Sequence, residues 1–260
     1  MKKLIYPRSK DTCQDEEKRL FDFEVDALKR FTNEAKNKHL IKLLATYYHQ
    51  GHYNLIFPWA DGNLREYWDG TEAPEHTYQN LLWIADQVAG LTEALKMLHN
   101  NEFGVNYDPD SLSTPPAETA RHGDIKPANI LFFKTKDGIV LKLSDFGLTR
   151  FHRKVSEIRM YEKLVGSRTY RAPEIDLKRG VSRMYDMWAL GCVFLEFLSW
   201  YVYGCEDGVE QFSVQRVKED YQKTMKQDSF FNVAVNDAGA KFGAFLKPCV
   251  ISVSVSVDSK

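Results

Sequence analysis

A strand-turn-strand pattern bracketed by two polar clusters constrains this sequence more than any other feature. Ile130 to Lys134 and Ile139 to Leu143 are apolar runs separated by Lys136-Asp137-Gly138. This is a hairpin signal in which Asp-Gly supplies the positive φ angles of a tight turn. His122-Gly123-Asp124-Ile125-Lys126-Pro127-Ala128-Asn129 precedes the first run, and Asp145-Phe146-Gly147 follows the second. A two-strand excursion returns the chain to where it began, so Asp124, Lys126, Asn129 and Asp145 are expected together at one edge. Phosphoryl transfer from a nucleotide needs these side-chain types: oxygens to hold magnesium, a carboxylate to orient or deprotonate the attacking hydroxyl, and a cation near the transferring phosphate.

The surrounding pattern is α+β. Phe21, Val25, Leu28 and Phe31 recur at helical spacing, which predicts an amphipathic helix over Glu16 to about Thr32. Leu40 to Tyr48 and Tyr53 to Phe57 read as strands joined by His49-Gln50-Gly51-His52, and residues 57–62 as a linker. The longest helix is expected from Thr77 to about Asn100. Asn101 to Arg121, with three prolines and little apolar content, reads as a solvated surface insertion. Helices are expected again over Ser182 to about Tyr203 and Val209 to Gln222.

Composition narrows the function classes. The 260 residues are 43% hydrophobic with a formal net charge of −1, enough for a sizeable core and no global pull toward nucleic acid or anionic membrane. Cys13, Cys192, Cys205 and Cys249 are scattered without paired spacing, which suggests neither a zinc site nor a disulfide framework. No secretion signal is visible at the start. The most apolar stretch, Met187 to Gly204, carries Glu196 in its middle and reads as a buried core helix. An intracellular protein, cytoplasmic or nuclear, is expected.

The two polar clusters resemble the catalytic loop and Asp-Phe-Gly motif of eukaryotic protein kinases, and Ala172-Pro173-Glu174 follows in the family's order. The resemblance implies a two-lobe kinase-like fold with a reduced N-lobe sheet and a mainly helical C-lobe. Residues 1–250 would form a partial domain, about 1–60 the residual N-lobe and 61–250 the C-lobe with the 101–121 insertion, followed by an atypical tail at 251–260. It implies Asp124 as catalytic base, Lys126 on the transferring phosphate, and Asn129 and Asp145 as magnesium ligands, with ATP as cofactor. Lys126, with Ser167 in Gly166-Ser167-Arg168-Thr169-Tyr170, resembles the Ser/Thr-specific pattern. Protein Ser/Thr hydroxyls are then the substrate. Glu24 matches the helix glutamate that pairs with a strand lysine, its bland alternative being a solvated helix-face residue. Phe57 falls at the gatekeeper position, Ala60 offers backbone groups to adenine and Leu131 lies beneath the base. Leu28, Leu43, His122 and Phe146 match a stacked apolar spine, and Gly147 completes its motif. Asp186 matches a buried brace of the catalytic loop and also reads as a helix N-terminal residue. The longer arrangement resembles a divergent group of kinase domains common in filamentous fungi.

Three departures stand out. Gly123 replaces the arginine of His-Arg-Asp, so control by activation-segment phosphorylation is not expected. No Gly-x-Gly-x-x-Gly occurs, and Lys2 is either the phosphate-binding lysine or part of an ordinary basic terminus. The final Ile251-Ser252-Val253-Ser254-Val255-Ser256-Val257 alternates like a two-faced strand, and Glu174 is expected to lack its usual arginine. A gene product truncated at both ends is expected from these features. Two other functions compete with the kinase reading: a catalytically inactive pseudokinase-like binding module, and a small-molecule phosphotransferase, which also uses a His-Gly-Asp loop. Lys126, Asp145-Phe146-Gly147 and the separate Ala172-Pro173-Glu174 argue against the second.

Overall fold

The computed structural model describes residues 2–3, 21–22, 25, 28–29, 37–50, 52–100, 119–145, 150–152, 168–221, 226–236, 239 and 241–257. Phe21, Val25 and Leu28 are helical and buried, at the spacing expected of one apolar face. Phe21 stacks on Tyr53 with ring centroids 4.3 Å apart. Tyr53 belongs to a three-stranded antiparallel sheet built from β1 (Lys2–Lys3), β2 (Ala45–His49) and β3 (His52–Ile56), in the order β1-β3-β2. β2 starts later than the apolar run beginning at Leu40. Leu40 forms an isolated parallel bridge with Leu143, and Ile41 N donates to Leu143 O at 3.0 Å. The segment's backbone is thus claimed by the central hairpin.

That hairpin is β6 (Ile130–Thr135) paired with β7 (Gly138–Leu143), in register from Ile130↔Leu143 to Thr135↔Gly138. The positive φ of its turn falls on Gly138 alone, at 113°. β4 (Gly62–Asn63) pairs with β6, so the expected linker ends as a strand. Asn63 then caps α1 (Leu64–Gly70), accepting from Glu66 N at 3.1 Å while Glu66 Oε2 accepts from Asn63 N at 2.9 Å. This reciprocal cap explains a short helix that apolar periodicity does not reveal. α2 (Tyr78–Asn100) buries Ile84, Leu91, Ala94, Leu95 and Leu98. Gly90 lets this helix approach His39, because a β-carbon there would lie 2.1 Å from the imidazole.

Three expectations for the remainder are corrected. The surface insertion ends as β5 (Thr119–Arg121), paired with β8 (Arg150–His152); residues 101–118 lie outside the described residues. The tail is not a strand but a helix, closing the run α3 (Pro173–Asp176), α4 (Met184–Gly204), a π turn (Cys205–Glu210), α5 (Gln211–Lys218), β9 (Phe231–Val235), β10 (Lys241–Leu246) and α6 (Pro248–Val257). Packing decides the tail: Cys249 and Val250 are buried with Cys192, Phe212 and Phe230, and Cys249 N donates to Glu219 Oε2 at 2.9 Å. The helix expected from Val209 begins instead in the π turn and ends at Lys218. α4 and its extension are long and apolar enough to cross a membrane by composition, yet half of the apolar window is buried in the protein. Val193, Phe197 and Trp200 are wholly buried in the main core with Trp68 and Leu91.

Candidate active site

The loop that opens the site hangs from one buried carboxylate. Asp186, at the start of α4, has 0% exposure and accepts from His122 N and Gly123 N, both at 2.8 Å. His99 Nε2, at the end of α2, lies 2.8 Å from the same carboxylate. Two amides fastened to one rigid helix fix the loop's entry, and Gly123 turns it with φ at 81°. His122 links this support to the hairpin. Its Nδ1 accepts from Asp124 N at 3.3 Å and its Nε2 faces Ser144 O at 2.9 Å. Complete burial holds His122 below the ordinary imidazole range, despite Asp186 nearby. A neutral ring with its proton on Nε2 satisfies both contacts.

The polar side chains converge on Asp124. Its Oδ2 accepts from Lys126 Nζ at 2.7 Å and Asn129 Nδ2 at 2.9 Å, and Asn129 Nδ2 also donates to Asp124 O at 2.8 Å. Asn129 sits in a single helical turn over Pro127–Asn129, locked by Asn129 N to Lys126 O at 2.9 Å. Ser144 N and Oγ both donate to Asn129 O, at 3.0 and 2.8 Å. The residue before Asp145 is therefore pinned against Asn129. Asp145 is exposed, with φ at 62°. Asp124 Oδ1 and Asn129 Oδ1 have no hydrogen bond among the described residues. Free oxygen acceptors beside an exposed carboxylate fit a hard divalent cation, which takes oxygen ligands.

The remaining expected residues are distributed around this centre. Leu131 lies on β6 opposite Asn63, and Phe57 packs at the edge of the main core. Ala60 has no backbone hydrogen bond among the described residues, while its neighbour Asp61 donates from N to Phe132 O at 3.1 Å. Lys2 pairs across β1 with Leu55. Leu28 and Leu43 share the main core. Glu174 has no side-chain partner among the described residues, whereas Arg171 Nη2 donates to both carboxylate oxygens of Asp176, at 2.8 and 2.9 Å. Glu24, Phe146, Gly147 and Ser167 lie outside the described residues.

Sequence reasoning missed three supporting residues. Ser144 and His99 carry no pattern that marks them, since each acts through a contact distant in sequence. Glu196 reads from sequence only as a polar interruption of an apolar helix. In the structure Tyr170 donates to Glu196 Oε2 at 2.6 Å and Arg216 Nη2 donates to Oε1 at 2.7 Å. Burial pushes the Glu196 carboxyl up, opposed by Arg216, and burial with Glu196 raises the Tyr170 hydroxyl.

Comparison with known proteins returns protein kinases. Relatives include the serine/threonine-protein kinase SSN3 of Yarrowia lipolytica, 31% identical over 64% of this chain and 36% of the relative. Cyclin-dependent kinase 20 of Danio rerio is 27% identical over 76% of this chain and 49% of its own length. Dual specificity protein kinase CLK4 of Homo sapiens is 24% identical over 73% of this chain and 39% of its own length. The chain thus spans less than half the length of these relatives. The protein kinase domain family matches residues 2–249. From β1 to the first turn of α6, the chain belongs to the protein kinase domain family.

Proposed function

We propose that the chain carries a Ser/Thr protein kinase catalytic domain that transfers the γ-phosphate of ATP to a protein hydroxyl. The observation that carries this reading is the convergence of Lys126 and Asn129 on one Asp124 oxygen, at 2.7 and 2.9 Å, with the other oxygen left open among the described residues. In this reading Asp124 Oδ1 accepts the proton or hydrogen bond of the attacking hydroxyl, while the two donors on Oδ2 hold the carboxylate in place. Lys126, 27% exposed at its side chain, reaches the transferring phosphate. Asn129 Oδ1 and the Asp145 carboxylate hold magnesium, which neutralises charge on the phosphate oxygens when bound. Phe57, Ala60 and Leu131 would frame the adenine, and Lys2 would reach the phosphates. Residues 1–60 and 61–250 would act as the smaller and larger lobes about that cleft. Three described cysteines, Cys192, Cys205 and Cys249, are free, which suits an intracellular setting.

The test is transfer of γ-labelled phosphate to a protein with accessible Ser and Thr. Asp124→Asn is expected to lower turnover by about 10²- to 10⁴-fold while the thermal midpoint stays in place. Unchanged transfer in that variant overturns the assignment of the base. Magnesium-ATP binding without any transfer would favour the pseudokinase-like module.

A further inference from the structure

β7 ends at the candidate site, and more than its partner β6 holds it there. Leu141 N donates to Gln87 Oε1 of α2 at 2.9 Å, and Leu141 O accepts from His39 Nδ1 at 2.7 Å. Two residues on, Leu143 N donates to His39 O at 2.8 Å and Leu143 O accepts from Ile41 N at 3.0 Å. His39 thus grips the strand through both its ring and its backbone. The strand leads straight into Ser144, whose N and Oγ donate to Asn129 O, and then into Asp145. Whatever fixes the end of β7 therefore fixes where Asp145 stands relative to Asn129 and Asp124.

The enclosure around His39 suits only a neutral ring. A nitrogen facing a carbonyl must donate, so Nδ1 carries the single proton of the neutral imidazole and Nε2 carries none. Nε2 is enclosed without a hydrogen-bond partner among the described residues, and it lies against α2 at Gly90, where a β-carbon would come within 2.1 Å of it. The whole residue is 2% exposed. A second proton would place a cation and an unmatched N–H in this space, a cost that a ring in water does not meet. The charged groups acting on the ring are Lys38 on its own segment, Asp86 on α2 and Lys142 on β7. Both lysines oppose a further positive charge, and Asp86, which favours it, is already paired with Lys38 at 2.8 Å. Burial outweighs the rest and holds the ring below the ordinary imidazole range. With the folded value depressed, the contact is complete above the open ring's pKa of about 6.5 and is lost as pH falls through the folded value.

We propose that His39 is a positioning residue for the candidate site, its neutral ring acting as an acid-released latch between α2 and the end of β7. On protonation the ring leaves Gly90 and gives up Leu141 O, and the backbone at 39–41 loosens from Leu143. The consequence for phosphotransfer rests on the function proposed above, whereas the latch itself does not. Amide exchange of the full chain, corrected for the intrinsic pH dependence of exchange, reads the latch without any activity. At pH 5.5 an open ring is protonated about ten times as often as it is neutral, so opening rises by up to about tenfold from pH 7.5. Protection over residues 39–43 and 139–143 is expected to fall at least about threefold between these pH values, while residues 189–197 of α4 keep theirs. His39→Asn puts a non-titrating amide donor near the place of Nδ1, and its fall should be at least about twofold smaller than that of the wild type. His39→Gln, which also cannot titrate, should behave in the same way. The latch is overturned if the wild type falls by less than about threefold, if both variants fall as far as the wild type, or if residues 189–197 lose protection in parallel. Phosphate transfer then separates the two readings. A steeper loss of kcat from pH 7.5 to 5.5 in the wild type than in His39→Asn supports the positioning role, and an equal loss overturns it. No transfer at either pH, with the exchange response intact, removes the phosphotransfer reading and leaves the latch standing.

Discussion

Gly123 shows how one position carries both a local rule and a family departure. Its φ of 81° lies in the left-handed region, which costs a residue with a β-carbon about 1–2 kcal/mol. Gly123→Ala is therefore expected to lose about 1 kcal/mol in urea unfolding, and the family's arginine placed here should not be more stable than alanine. Two histidines define a pH response. His122 and His39 are both held below the usual imidazole range, chiefly by burial. The unfolded chain then binds protons that the folded chain refuses, so stability is full above about pH 6.5 and falls as pH drops through the depressed folded values. Thermal midpoints measured from pH 7.5 to 5 should decline below about pH 6.5. In His39→Asn the decline should be shallower. The residues proposed to carry chemistry were legible at this scale because type and spacing name them. Ser144 and His99 were not, because their roles consist of hydrogen bonds to residues far along the chain.

At the level of elements, long amphipathic segments were readable and short or docked ones were not. α2 and the β6–β7 hairpin lie where periodicity and turn residues place them. The tail alternates like a strand yet forms α6, because one turn of it buries Cys249 and Val250 against α4 and α5. β9 and β10 escaped notice since each is short and only their mutual pairing makes them strands. Element packing also sets a sharp steric test. A β-carbon at Gly90 would meet the His39 ring at 2.1 Å, and His39 Nδ1 is bonded to Leu141 O at 2.7 Å, so the ring cannot retreat without losing that contact. Gly90→Ala is expected to cost about 1–3 kcal/mol, read from the denaturant midpoint. Amide exchange should quicken over residues 37–43.

Across the whole molecule, the helical part is organised around a buried ionic centre. Arg216 has 0% exposure and joins Glu196 at 2.7 Å to Asp228 at 2.6 Å, its guanidinium lying over the rings of both Phe212 and Phe230. Lys247, equally buried, donates to Arg216 O at 2.6 Å and Gln227 O at 2.9 Å, fastening the start of α6 to α5. Removing the guanidinium strands two carboxylates, one of them fully enclosed. Arg216→Met should therefore destabilise the chain by about 3–5 kcal/mol, measured by urea unfolding. Since Glu196 also holds Tyr170, four residues before Glu174, the same variant should speed proteolysis near Tyr170.

The chain's sequence alone determined the α+β class, the family and the four polar residues beside the hairpin, because motif spacing and turn chemistry are local properties. Tertiary structure decided what surrounds them. The amides of His122 and Gly123 on Asp186, the Ser144 link to Asn129, the helical tail, the Arg216 centre and the His39 contact to Leu141 all join segments distant along the chain. Such contacts depend on which buried surfaces find each other, and no window of neighbouring residues encodes that.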